Sequence, residues 1–161
     1  MTLLELKKYT SKNASYRLSI DILSHVELST HLEQSQRERG FVDDVCKRVQ
    51  KSSTVLYLLK HADDTLGFVA LSVSSIGDFP SLQIDYLFVN HAFRGKPLEI
   101  LDNLKASTYL IEFAIELAKE IQELAGLRYL VLLPDNHKLQ DVYKDMGFLH
   151  LPKQEWLYFK L

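Results

Sequence analysis

Residues 105–125 limit the fold more than any other part of the chain. Their polar positions, Glu112, Glu116, Lys119, Glu120 and Glu123, form one narrow stripe, and almost everything else is apolar. A helix with so little polar surface has to be buried against a sheet. Gly126 stands where a left-handed C-terminal cap belongs. Residues 127–133 follow as a short apolar run with Arg128 near its start, the pattern of a central strand buried on both faces.

The other elements are read around this pair. Residues 54–60 and 66–73 suggest an antiparallel hairpin about an Asp-rich turn at 61–65. Residues 16–22 alternate weakly, as in a first strand. Residues 28–49 have helical spacing with a break at Gly40, which predicts two short helices. Residues 82–89 alternate at first and are continuously apolar from Tyr86, as in a strand running into the interior. Pro134, Asp135 and Asn136 then stop the strand of residues 127–133 and offer a helix N-cap. Leu139, Val142, Tyr143 and Met146 sit at helical spacing, and residues 148–151 and 155–161 suit a last antiparallel pair. This order predicts a mixed α/β (α+β) fold with one right-handed parallel crossover. A length of 161 residues suits a single domain spanning 1–161.

Charge and cysteine usage narrow the function. The 19 basic and 21 acidic side chains leave a net charge of -2, and the basic residues are scattered. Their densest run, residues 37–51, is interleaved with Glu38, Asp43 and Asp44, so nucleic acid is not the expected partner. Cys46 is the only cysteine, which excludes an intrachain disulfide and a cysteine-based zinc site. Val42, Val45, Cys46 and Val49 share a helix face, so the thiol is expected as a small buried hydrophobe. Residues 1–8 do not read as a signal peptide, and no apolar stretch approaches the roughly 18 residues of a membrane span. The expectation is a cytoplasmic protein without a membrane partner.

Ligand chemistry is expected first after Val89. A strand running into the core, a basic loop with Arg94 and Lys96, and the start of a buried helix together suit a pyrophosphate. A solvated surface turn is an equal reading of that segment on its own. Residues 136–148 carry the second signal. Asn136 is followed seven residues on by Tyr143, and Gly147 and Phe148 stand four and five places after that Tyr.

This spacing resembles the C-terminal motif of the GNAT acyltransferases, with residues 127–133 like the family's fifth strand and residues 110–118 like its main helix. The resemblance covers residues 82–161. It implies an acyl-CoA N-acyltransferase fold: a central, mostly antiparallel sheet with one parallel strand pair, flanked by helices. The fourth and fifth strands splay, and the pantetheine arm of acetyl-CoA lies between them. By that resemblance Leu87 and Val89 offer backbone contacts to the arm, Asn136 belongs to the cofactor site, and the thioester reaches Tyr143.

The phosphate loop departs from the family. Counted from Arg94, its glycine positions fall on Pro97 and Glu99. Pro has no N–H, and Glu repels a phosphate. Counted back from Leu110 and Ile111, the helix start falls instead on Lys105, Ala106 and Ser107, and residues 97–104 become an insertion. The second registration is preferred because it supplies a cation and two small residues, with Arg94 as an outer contact. Leu98, Ile100 and Leu101 in the insert are then read as a flap or an oligomer contact, and a homodimer is one expectation.

With a bound thioester, the chemistry is direct attack by an amine. Near pH 7 only about one primary amine in a few thousand is neutral. The site therefore has to remove a proton and supply one to the leaving thiolate. Family members with this Tyr use it as the acid, which implies Tyr143 in that role. Asp85 is the first candidate for the base, and a solvated strand carboxylate is an equal reading. His91 and His137 read as surface imidazoles, and no metal is expected. The acceptor is a small-molecule or protein amine. Two alternatives remain: a non-catalytic acyl-CoA-binding regulatory module, and a toxin-like acyltransferase acting on aminoacyl-tRNA.

Overall fold

The structure is a computed structural model and describes residues 4–134 and 137–161, without the side chains of His137 and Lys138. Among the described residues, seven strands form one hydrogen-bonded sheet in the order β1-β2-β3-β4-β5-β7-β6. In chain order they are β1 (Leu4–Tyr9), β2 (Val55–His61), β3 (Asp64–Ile76), β4 (Phe79–Val89), β5 (Tyr129–Leu132), β6 (Leu149–His150) and β7 (Leu157–Lys160). The helices are α1 (Leu18–Leu23), α2 (Leu32–Gln50), α3 (Ala106–Ala125) and α4 (His137–Asp145). Two-residue turns join β2 to β3 and β3 to β4, which makes both pairs antiparallel hairpins. β4 and β5 are parallel, as the crossover through α3 requires.

The chain divides into two compact units, Met1–Ala70 with Tyr86–Ile111, and Leu71–Asp85 with Glu112–Leu161. In the first unit, Leu18 and Ile22 of α1 join Val42, Val45, Cys46 and Val49 of α2 in a core with Leu56, Phe68 and Phe88 of the strands. Cys46 is 3% exposed, and burial, aided by the Asp43 carboxylate, pushes its thiol up to about 12. That agrees with a packing role and removes it as a nucleophile. In the second unit, Phe148 packs on Tyr143 and Phe159, and Gly126 (φ +74°) closes α3 in the left-handed conformation.

Two expectations are corrected. Residues 16–22 are not a strand; Leu18–Leu23 is a helix. Leu18, Ile20 and Ile22 fit a period of two, but Leu18 and Ile22 also stand one helical turn apart, and these two are buried while Ile20 is 55% exposed. The first strand is instead β1, an edge strand paired with β2 from Leu4↔His61 to Tyr9↔Leu56. Gly40 does not break the second helix. It lies on the exposed face of α2, where its cost of about 1 kcal/mol is outweighed by the buried stripe below it.

Among the described residues, no helix is long and apolar enough to cross a membrane.

Candidate functional site

The expected site residues fall on both units. In the first unit, β4 runs on past its last partner in β5. The parallel pairing covers Ser81–Ile84 against Tyr129–Leu132, and β4 continues to Val89. Leu87 and Val89 lie on this continuation. Gly67 of β3 passes so close to it that a Cβ there would meet the Phe88 carbonyl oxygen and the Val89 Cα at 3.1 Å, so this position admits no side chain.

The end of β4 is held by two polar residues. Asn90 is 6% exposed; its Oδ1 accepts from the N–H groups of Glu27 (2.9 Å) and Ala92 (3.2 Å), and its Nδ2 donates to the Thr65 carbonyl (2.8 Å). Arg94 donates from Nε to the Val89 carbonyl (2.7 Å) and from Nη1 and Nη2 to Glu38 (3.0 and 2.8 Å). Its guanidinium also lies 5.4 Å from the Phe88 ring centroid. Arg94, expected as an outer phosphate contact, is therefore largely committed to Glu38 and Val89. Glu38 is 2% exposed and also accepts from the Ser29 N–H and Gln34 Nε2. Burial alone would raise its carboxyl, but Arg94, Ser29 and Gln34 together hold it below the usual range. The sequence reading missed this pair and Asn90. One signal was available: Glu38 stands four residues before Val42, on the apolar stripe of α2, where a carboxylate needs a partner.

Between Arg94 and α3 the chain forms a short 3-10 turn at Glu99–Leu101, closed by a bridge between Leu98 and Leu104. Leu101 is 2% exposed and belongs to the interior, whereas Ile100 is 41% exposed. The long helix starts at Ala106, and its first i→i−4 bond runs from the Tyr109 N–H to the Lys105 carbonyl (3.0 Å). The N–H groups of Ala106, Ser107 and Thr108 thus precede the first helical bond, no acidic residue occupies the first turn, and the Lys105 side chain is exposed. The helix start coincides with the second registration, while Glu99 opens a separate turn.

In the second unit, Asp85 is half-buried on β4, and its Oδ1 accepts from Ser72 Oγ (2.7 Å) and Gln83 Nε2 (2.8 Å). Tyr143 lies on α4, 6% exposed, edge-on to Phe148 with centroids 5.9 Å apart. Its carbonyl accepts from the Met146 and Phe148 N–H groups at the helix end. Gly147 (φ +104°) allows that turn, and a Cβ there would come within 3.0 Å of the Phe159 ring. Asn136 lies outside the described residues, as does the side chain of His137. His91, expected at the surface, has its Nδ1 buried without a hydrogen-bond partner among the described residues.

Solved structures resemble this arrangement along nearly its whole length. AtaTR bound with acetyl-CoA superposes with a TM-score of 0.75 at 16% identity, covering 98% of this chain and 92% of that one. The chain has the GNAT fold. The AtaT complex with acetyl-methionyl-tRNAfMet has a TM-score of 0.70 at 15% identity over 99% of this chain and 95% of the other. The KacTA–DNA complex has a TM-score of 0.68 at 16% identity over 99% and 93%. No family model and no curated protein sequence matches the chain. The expectation against a nucleic-acid partner is not borne out by these neighbours, two of which are complexes with tRNA or DNA. The net charge behind that expectation is a whole-chain sum and says nothing about where single cations stand on a GNAT surface.

Proposed function

We propose that this protein is an N-acetyltransferase that moves the acetyl group of acetyl-CoA to an amine, and that its acceptor is the amino group of an aminoacyl-tRNA. The observation that carries the reading is the stretch from β4 to α3. β4 continues beyond its pairing with β5, and the loop after it leads to a helix start whose first N–H groups precede the first helical bond, with a neighbouring lysine and no acidic residue in the first turn. The AtaT structures with acetyl-CoA and with acetyl-methionyl-tRNAfMet support the donor and the acceptor, and favour the toxin-like reading over a general amine acetyltransferase.

Acetyl-CoA supplies the activated acyl group. On this chain, Lys105 and the N–H groups of Ala106 and Ser107 hold its pyrophosphate, and the backbone of Leu87 and Val89 pairs with its pantetheine arm. Asn136 is assigned to the same cofactor site. Asp85 takes the proton of the acceptor ammonium; Ser72 and Gln83 fix that carboxylate through Oδ1. The amine nitrogen forms the new amide bond as the carbon–sulfur bond breaks. Tyr143 donates its phenolic proton to the departing sulfur, and the second proton of the amine nitrogen, lost as the amide forms, restores the phenol.

Ser107→Glu tests the donor half. A negative charge in the first turn of α3 opposes a phosphate, so acetyl-CoA affinity should fall by about tenfold or more. Glu99→Gln should leave affinity unchanged. Calorimetric titration of both variants decides it: equal affinity for Ser107→Glu and wild type would remove the phosphate site from α3.

A further inference from the structure

On the second unit, strand register sorts the side chains by face. Ser81 pairs with Tyr129, Gln83 with Val131, Val131 with Tyr158 and Tyr129 with Lys160. Phe79, Ser81, Gln83, Asp85, Tyr129, Val131, Tyr158 and Lys160 therefore share one face of the sheet, and of these Ser81 and Val131 are buried. The opposite face carries Leu130 and Phe159, and there the Phe159 ring meets Phe148, which follows α4. Aromatic rings at strand positions ordinarily point into a core. Here Phe79 is 41% exposed and Tyr129 and Tyr158 are half-buried.

The three rings form a row across β4, β5 and β7. Phe79 stands edge-to-face on Tyr129 (centroids 6.0 Å apart, 82°), and Tyr129 on Tyr158 (5.4 Å, 80°). The Arg128 guanidinium lies 4.3 Å from the Phe79 centroid and 6.0 Å from that of Tyr129. Lys160 is exposed beside Tyr129. Along β4 the same face leads from Phe79 to Asp85, a run of about 20 Å at about 3.3 Å per residue.

We propose that Phe79, Tyr129 and Tyr158, with Arg128 and Lys160, are a stacking surface for the unpaired 3′ end of an RNA. This rests on the reading of aminoacyl-tRNA as acceptor. Flat rings and guanidinium planes partly exposed on a sheet face hold unstacked bases whatever their identity, while cations beside them take the phosphates. The run toward Asp85 gives a strand end that carries an amine a direction. Its last nucleotides lie on the rings, and the amine reaches the carboxylate assigned as base.

The test is binding of a short single-stranded RNA ending in CCA, its terminal adenine replaced by 2-aminopurine, whose fluorescence is quenched on stacking. Wild type should quench it saturably. Tyr129→Leu and Tyr158→Leu keep apolar volume but lose the flat ring, and each should weaken binding about tenfold or more. Phe79→Leu, at an exposed strand start, serves if the other two fold poorly. Thermal midpoint and acetyl-CoA affinity should stay at wild-type values. Absence of quenching by wild type, or variants that bind as tightly as wild type while melting lower, would make the row ordinary cross-strand packing and overturn the proposal. Acetyl transfer to aminoacyl-tRNA is measured separately. Quenching without transfer defeats the functional reading and leaves the surface standing; transfer unaffected by loss of the rings does the reverse.

Discussion

Tyr143→Phe is expected to lower turnover by about 10²–10⁴-fold, the contribution of a positioned acid, with KM for acetyl-CoA nearly unchanged. The substitution removes one oxygen and keeps the ring, which is 6% exposed and packed edge-on against Phe148. Folding should therefore survive, with a loss of about 1 kcal/mol at most from hydrogen bonding. A core aromatic without chemistry would give full turnover in the variant. A regulatory module would give none in either protein, with equal acetyl-CoA affinity. Initial rates of free-thiol release for wild type and variant, with their thermal midpoints, separate the three.

Glu38→Ala is expected to destabilise the fold by about 3–5 kcal/mol, because it leaves Arg94 partly buried without its carboxylate. Glu38→Gln should cost less, since an amide still accepts from Ser29 and Arg94. The pair also sets a pH dependence. The native carboxyl titrates below its unfolded value of 4.5. The stability it contributes is fully present above pH 4.5 and is lost as pH falls through the lower native value. Denaturant midpoints between pH 7 and pH 3 should therefore fall more steeply for wild type than for Glu38→Ala. Parallel curves would remove Glu38 as the hold on the end of β4.

What could be read from sequence followed from how local each signal is. Helix α3, its glycine cap and β5 carry their burial pattern within a few turns of chain, and the structure places them within two residues of expectation. The β2–β3 hairpin is equally local. Strand β1 was missed because it is held by backbone pairing at a sheet edge, where only Leu6 and Tyr9 are even half-buried. The unbroken α2 was missed because a glycine penalty was weighed without the tertiary burial that offsets it.

The site divides the same way. The start of α3 was legible by counting back along a periodic helix. Asp85 was legible only as a carboxylate on a strand. Its bond to Ser72 depends on how β3 registers against β4, and the face it shares with Tyr129 and Tyr158 depends on pairings across three strands. No local pattern carries either.

The central claim is acetyl transfer from acetyl-CoA to the amine of an aminoacyl-tRNA. The most direct measurement incubates the protein with radiolabelled acetyl-CoA and methionyl-tRNA and counts label retained on the tRNA. The account predicts label on the tRNA with equimolar release of free thiol, and neither product with uncharged tRNA, which lacks the amine. Bound acetyl-CoA with no label on any charged tRNA, or label at the same rate on uncharged tRNA, would contradict it.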